Sequence, residues 1–303
     1  MKKKPTNTAA SVKAKLLNVA NVSKRAFDVV LLQYFQERFL YRLAQSEYRD
    51  RLILKGALMF RAYGIAITRP TKDIDLLGRS IGPEADLFVT IIQEIIEIQC
   101  DDGVVFDPSS ITISRIKEDA DYEGLRVFIE GALDSVLKKL QIDIGFGDLI
   151  TEGPRGMDYP VILDHPVPQL LVYSKETAIA EKFEAIVRLG TANSRMKDFY
   201  DIQYLAEHEE FEAQILSTAI TTTFAHRGTD LKQAELIFAE EFIANRTLRE
   251  MWVAFLKRSA LDPTIPFSDT MDLLREFLSH ASRHPAENAK WLPNEKRWDG
   301  RSA

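Results

Sequence analysis

The tripeptide Asp73-Ile74-Asp75 carries the clearest chemical signal in the sequence. On a strand, residues i and i+2 project to the same face. Both carboxylates then stand together while Ile74 and Leu76 turn to the core. Like charges side by side repel, and a shared divalent cation resolves the conflict. In two-metal sites such carboxylates hold ions about 3.5–4 Å apart that clamp the attacking and leaving oxygens of a displacement. Asp143 sits among the alternating residues Leu140, Ile142, Ile144 and Phe146. It reads either as a third acid for the same ions or as a solvent-facing strand residue. Asp148, following Gly147, is a further acid or a turn cap.

Upstream, Leu52 to Leu54 form a short apolar run that ends at Lys55-Gly56-Ala57, the pattern of a strand entering a turn. A glycine there lets the backbone approach a phosphate, and a helix beginning at Leu58 offers free N–H groups. Thr71, two residues before Asp73, adds a hydroxyl.

Lys182 is an anomaly of a different kind. In a helix over 176–189, its neighbours at three and four residues either side are Ala178, Ile179, Ala185 and Ile186. Lysine is rarely buried without a partner. Either it snorkels to the surface or it aims a cation at a triphosphate, neutralising charge on the leaving pyrophosphate. A following helix over 195–206 places Asp198 and Asp201 at i and i+3, with Asp198 on the face of Ile202 and Leu205. An acid there pairs with a cation, Lys182, Arg195 or Lys197 being candidates, or serves the helix dipole.

The elements that must position these groups fall into three regions. Residues 1–50 are predicted as an N-terminal helical region, from the helical spacing of apolar residues such as Val30, Tyr34 and Leu43 and the absence of proline between Pro5 and Pro70. Residues 51–165 are predicted as the catalytic core. Its strands run from Leu52 to Leu54 and from Asp73 to Leu77, after the turn signal Arg69-Pro70-Thr71, and a helix covers 85–99. A hairpin of Ile111 and Ile113 against Leu125, Val127 and Ile129 closes around a polar loop over 118–124, and the Leu140–Phe146 strand follows. Residues 166–303 are predicted as a helical C-terminal domain with an irregular tail that packs through Trp291 and Trp298. Helices with a small mixed sheet make the fold class α+β.

Composition narrows the chemistry further. No apolar run approaches the roughly 20 residues that span a bilayer, and the polar, basic start lacks the apolar stretch of a secretory signal. A lone cysteine, Cys100, excludes an internal disulfide and suits a cytoplasmic protein. No Cys/His spacing forms a metal site, so carboxylates must hold any catalytic ion, which suits Mg²⁺ or Mn²⁺. The net charge of −6 argues against a general nucleic-acid binder. It leaves room for a local basic groove, to which Lys2, Lys3, Lys4, Lys182, Arg188, Arg195 and Lys197 are candidate contributors.

Several of these segments, in this order, resemble the AbiEii/AbiGii-type nucleotidyltransferase toxins. They are Leu54-Lys55-Gly56-Ala57, the stretch from Arg69 to Leu76, Gln141-Ile142-Asp143-Ile144-Gly145-Phe146-Gly147-Asp148, Ala180-Glu181-Lys182-Phe183-Glu184-Ala185, and Asn193 to Asp201. The resemblance implies a polymerase-β-like nucleotidyltransferase core, flanked by the N-terminal helices and a helical C-terminal region. It implies Mg²⁺ dependence, an NTP substrate, tRNA 3′ ends as acceptor, and a toxin–antitoxin or phage-defence role with a cognate antitoxin as partner. Carried over, Asp73 and Asp75 bind metal, Lys55 and Lys182 contact nucleotide phosphates, and Asp198 orients Lys182 or the nucleotide. The sequence departs from the pattern at Gly56-Ala57, where nucleotidyltransferases often carry Gly-Ser or Gly-Gly, so phosphate contact would rest on backbone N–H groups. Two other readings stay open: nucleotidyl transfer (adenylylation) to a protein or small molecule, and a catalytically silent nucleotide-binding module.

Overall fold

Apolar residues at helical spacing build α1 (Thr8–Ser23) and α2 (Phe27–Gln45), the latter burying Val30, Leu31, Tyr34, Phe35, Phe39 and Leu43. The structure is a computed structural model and describes residues 8–65, 71–119, 122–283 and 288–299. Lys2, Lys3, Lys4 and the Arg69-Pro70 turn signal lie outside the described residues. Two compact units divide the chain, one of Met1–Gly147 with Pro154–Tyr173, the other of Asp148–Gly153 with Ser174–Ala303.

The first unit is organised around a seven-stranded mixed sheet. Its strands are β1 (Leu52–Lys55), β2 (Asp73–Gly78), β3 (Val104–Asp119), β4 (Tyr122–Leu133), β5 (Val136–Phe146), β6 (Arg155–Asp158) and β7 (Gln169–Val172), in the order β3-β4-β5-β2-β1-β7-β6. β2 runs parallel to β5 and antiparallel to β1, and β1 runs parallel to β7. Helices α3 (Gly56–Ala62) and α4 (Ala85–Ile96) complete the unit. Alternation sorts the two faces of the central strands. Ile74, Leu76, Val127, Ile129, Ile142 and Ile144 are fully buried. On that side Phe35 and Phe39 of α2 pack edge-on to Phe106, and Phe88 of α4 packs against Phe146. The acids project from the other side.

The sequence places a polar loop over 118–124, but the β3–β4 ladder continues to Asp119 opposite Tyr122. Residues 117–124 carry none of the apolar alternation that marks a strand in a sequence, and so read as loop.

The second unit is mainly helical: α5 (Lys175–Leu189), α6 (Met196–His208), α7 (Ala213–Arg227), the short α8 (Ala234–Ile237) and α9 (Glu240–Ile243), α10 (Arg246–Arg258) and α11 (Phe267–Arg283). Ser174 caps α5, its hydroxyl accepting from the Thr177 N–H. The tail differs from the irregular segment expected. β9 (Lys290–Leu292) pairs with both β10 (Arg297–Trp298) and β8 (Phe211–Glu212). Trp291 and Trp298 are fully buried, and their indole N–H groups donate to the carbonyls of Ala206 and Phe277. Strands of two or three residues are too short to show a period. Among the described residues no helix is long and apolar enough to cross a membrane. The α+β class expected from the sequence is the observed one, with helices on either side of the sheet in chain order.

Candidate active site

Strand register brings the acids together. Asp75 lies beside Asp143 across the parallel β2–β5 pair, and Asp73 beside Gln141. Asp73 and Asp75 share a face two residues apart. Carboxylate oxygens of Asp73, Asp75 and Asp143 all lie within 4.8 Å of one another. Three acids at that spacing are an oxygen-rich, negatively charged cluster, the donor set a hard divalent cation takes. Asp73 and Asp75 are half-buried and Asp143 is buried.

Neighbours hold these carboxylates in place. The Thr71 hydroxyl donates to Asp73 Oδ1 at 2.9 Å. Arg126, opposite Asp143 in the β4–β5 ladder, donates from Nε at 2.8 Å and Nη2 at 2.7 Å, a bidentate fork. The Gln141 amide reaches both oxygens of Asp143, at 3.2 and 3.1 Å. The bonds of Arg126 to Asp143, and the charges of Asp143, Asp73 and Asp75, hold the Arg126 guanidinium above its ordinary pKa despite partial burial.

On the other flank, Lys55 pairs with Asp75 in the antiparallel β1–β2 ladder. The Lys55 side chain is buried, with Nζ 5.9 Å from the Tyr173 ring centroid. Gly56 opens α3 at φ +65°, and a Cβ there would fall 1.9 Å from Asp75 Oδ2. Glycine is therefore required by both backbone conformation and the close carboxylate. The helix begins two residues earlier than the sequence suggests, so Gly56 and Ala57 lie in its first turn.

In the second unit, Lys182 of α5 meets two acids of α6. Its Nζ lies 2.9 Å from Asp198 Oδ1 and 2.8 Å from Asp201 Oδ2. Arg195 Nε donates to the other Asp198 oxygen at 2.7 Å. Lys182 is 12% exposed and Asp198 not at all, so the lysine does not snorkel to water. Burial pushes the Asp198 carboxyl up, but the charges of Lys182 and Arg195 outweigh it and hold the acid well below the usual carboxylate range. Asp148 belongs to this unit and not to the acid cluster. It pairs with Arg227 at 2.9 Å, and Arg227 also meets Glu184 at 3.1 Å.

Residues 38–287 match the family described as nucleotidyl transferase AbiEii toxin, type IV TA system. The chain belongs to the AbiEii nucleotidyltransferase toxin family. It is accordingly a nucleotidyltransferase and the toxin of a type IV toxin–antitoxin system. The match extends beyond the motifs at both ends.

Among solved structures, MenT4, a nucleotidyltransferase toxin of Mycobacterium tuberculosis H37Rv, is 18% identical with a TM-score of 0.52, covering 90% of this chain and 91% of that one. JHP933 of Helicobacter pylori is 14% identical with a TM-score of 0.48, over 85% and 93% of the two chains. At 18% identity the likeness to MenT4 is one of fold. None of the curated proteins matches the chain in sequence.

In this AbiEii toxin's polar arrangement Arg126 escaped the sequence reading, and Asp201 was named beside Asp198 without its partner being fixed. Arg126 stands out of the apolar alternation of Leu125, Val127 and Ile129, which places it on the polar face but not opposite any particular residue. Its partner is fixed only by the Asp134-Ser135 turn, which sets Leu133 against Val136 and carries the register up to Arg126 and Asp143. Asp201 stands one helical turn from Asp198, and its bond to Lys182 requires knowing how α5 and α6 cross.

Proposed function

We propose that this toxin transfers a nucleoside monophosphate from an NTP to the 3′ end of a tRNA, with Mg²⁺ or Mn²⁺ held by Asp73, Asp75 and Asp143. The observation that carries the reading is the gathering of three carboxylates within 4.8 Å on strands whose register fixes them. A divalent cation bound there supplies neutralisation of phosphate oxygens and orientation for in-line attack.

The chain's own groups prepare that chemistry. Thr71 fixes Asp73, and Arg126 with Gln141 fixes Asp143. Gly56 gives Asp75 its space, and the first-turn N–H groups of Gly56 and Ala57 face a phosphate. Lys55 contacts the nucleotide phosphates from the strand beside Asp75. Lys182 neutralises charge on the departing pyrophosphate, and Asp198, with Asp201, holds its ammonium in one orientation. The acceptor hydroxyl attacks the α-phosphorus, the bond to pyrophosphate breaks, and no covalent protein intermediate forms. In this reading the enzyme works in the cytoplasm, opposed by a cognate antitoxin.

The test is to incubate the protein with Mg²⁺ and each labelled NTP in turn, with total bacterial RNA and separately with RNA-free lysate protein. Label at tRNA size, absent with Asp75→Asn, is the expected result. Label on protein or small molecules would move the acceptor to the adenylylation reading. Nucleotide binding without transfer to any acceptor would leave a silent binding module.

A further inference from the structure

The sheet face that carries the acids does not end with them. Along β5, Asp143, Gln141, Lys139 and Leu137 alternate onto one side. On β4 their partners are Arg126, Phe128, Glu130 and Ala132 in the same order. The reverse face is apolar and buried, whereas here Glu130, Lys139 and Leu137 are exposed and Phe128 and Gln141 half-buried. An aromatic ring therefore stands on an open polar face, one ladder step beyond the Arg126–Asp143 pair. The Lys139 ammonium lies 4.2 Å from its centroid.

An aromatic side chain flanked by cations on an uncovered sheet is the arrangement on which unpaired bases stack, the cation serving the phosphate. We infer that this face is the platform for the acceptor strand, with Phe128 stacking the base next to the reacting 3′-terminal nucleotide and Lys139 binding the intervening backbone. The inference rests on nucleotidyl transfer to an RNA 3′ end and says where that end lies.

Three observations support it. The platform is continuous with the carboxylates: two residues along a strand advance about 6.8 Å, close to one nucleotide of extended chain. Three of the candidate cations for an RNA groove are engaged with acids: Lys182 and Arg195 with Asp198, and Arg188 with Glu184. Finally, the face turns acidic just past Phe128, where Glu130 pairs with Asp107 and with Lys139 across the two ladders. That acid pair limits the platform to a short single-stranded end and disfavours a duplex lying along the sheet. On binding, Lys139 leaves the ring for the phosphate and the base takes its place.

The experiment uses the full chain and a short single-stranded RNA with 2-aminopurine as the penultimate 3′ base. Stacking on Phe128 quenches its fluorescence. The unaltered protein should quench it, Phe128→Leu should not, and Phe128→Trp should restore it. Phe128→Leu should also raise the KM for the RNA acceptor on the order of tenfold, the loss of one base–aromatic stack, with the KM for NTP unchanged. Because Phe128 lies on an uncovered face, the leucine variant keeps its fold, which a thermal melt checks. Transfer to RNA by the unaltered protein together with wild-type quenching and acceptor KM in Phe128→Leu would overturn the platform and leave the proposed function standing. No quenching by the unaltered protein would overturn the platform whatever acceptor it uses.

Discussion

Gly56 and Asp75 compete for one volume: a Cβ on the glycine would stand 1.9 Å from Asp75 Oδ2. The strand-to-helix turn and the acid cluster are thereby a single construction. Gly56→Ala must displace the carboxylate and also hold a side chain at φ +65°, a conformation that costs roughly 1–2 kcal/mol for an L residue. A lower melting temperature is expected, with transfer reduced about 100-fold, the scale of an ångström's misplacement. Steady-state rates and a thermal melt check both. Wild-type activity in a folded alanine variant would show that Asp75 need not sit where it does.

Lys182→Met leaves Asp198, which has no exposed surface, paired with Arg195. Breaking a buried pair from one side costs about 3–5 kcal/mol. Urea unfolding should show a loss of that order, largely recovered in Lys182→Arg. If the ammonium also faces the leaving pyrophosphate, single-turnover transfer should fall by about 2.7–4 kcal/mol of transition-state stabilisation, the worth of one oxyanion donor. An unchanged rate, measured where the variant is folded, would leave Lys182 a structural residue.

The Asp198 carboxyl is held low by Lys182 and Arg195 against the opposing effect of burial. A depressed acid contributes stability that is fully present above its unfolded pKa, about 3.9, and is lost as pH falls toward the folded value. The stability of the unaltered protein relative to Asp198→Asn should therefore be constant from neutral pH to about 5 and shrink below about 4. A difference independent of pH down to 2 would contradict the charged pairing.

Glu37 behaves in the opposite sense. It is fully buried in α2, and burial pushes its carboxyl up to about 7, although Arg38 at 2.8 Å and the Ile162 N–H pull it down. A raised acid contributes stability present below its unfolded pKa and lost as pH rises through the folded one. Between about pH 4.5 and 7 the unaltered chain should lose stability relative to Glu37→Gln, by on the order of 3 kcal/mol at most. Denaturant titrations across that window measure it, and a flat difference would place the charged form comfortably inside the helix.

The sequence showed the acid pair because strand alternation is a local rule, and Asp73 and Asp75 obey it without reference to any other element. Asp143 was visible as an acid facing away from Ile142 and Ile144, but its place beside Asp75 depends on β5 lying parallel to β2, two strands far apart in the chain. Arg126 was hidden for the same reason, since its role follows from a register set at a distant turn. Lys182 was legible as a misfit on an apolar helix face, and the structure supplies the two acids that explain it. The tail hairpin was illegible because its stability comes from two buried indoles and not from any pattern along its strands.

The central claim is that Asp73, Asp75 and Asp143 form a divalent cation site. The most direct test is Mn²⁺ binding followed by electron paramagnetic resonance, comparing the unaltered protein with the double variant Asp73→Asn/Asp75→Asn. Loss of binding in the double variant is predicted, with a melting temperature equal to or above that of the metal-free protein, since the change relieves repulsion between like charges. Equal Mn²⁺ binding by the two proteins would contradict the assignment.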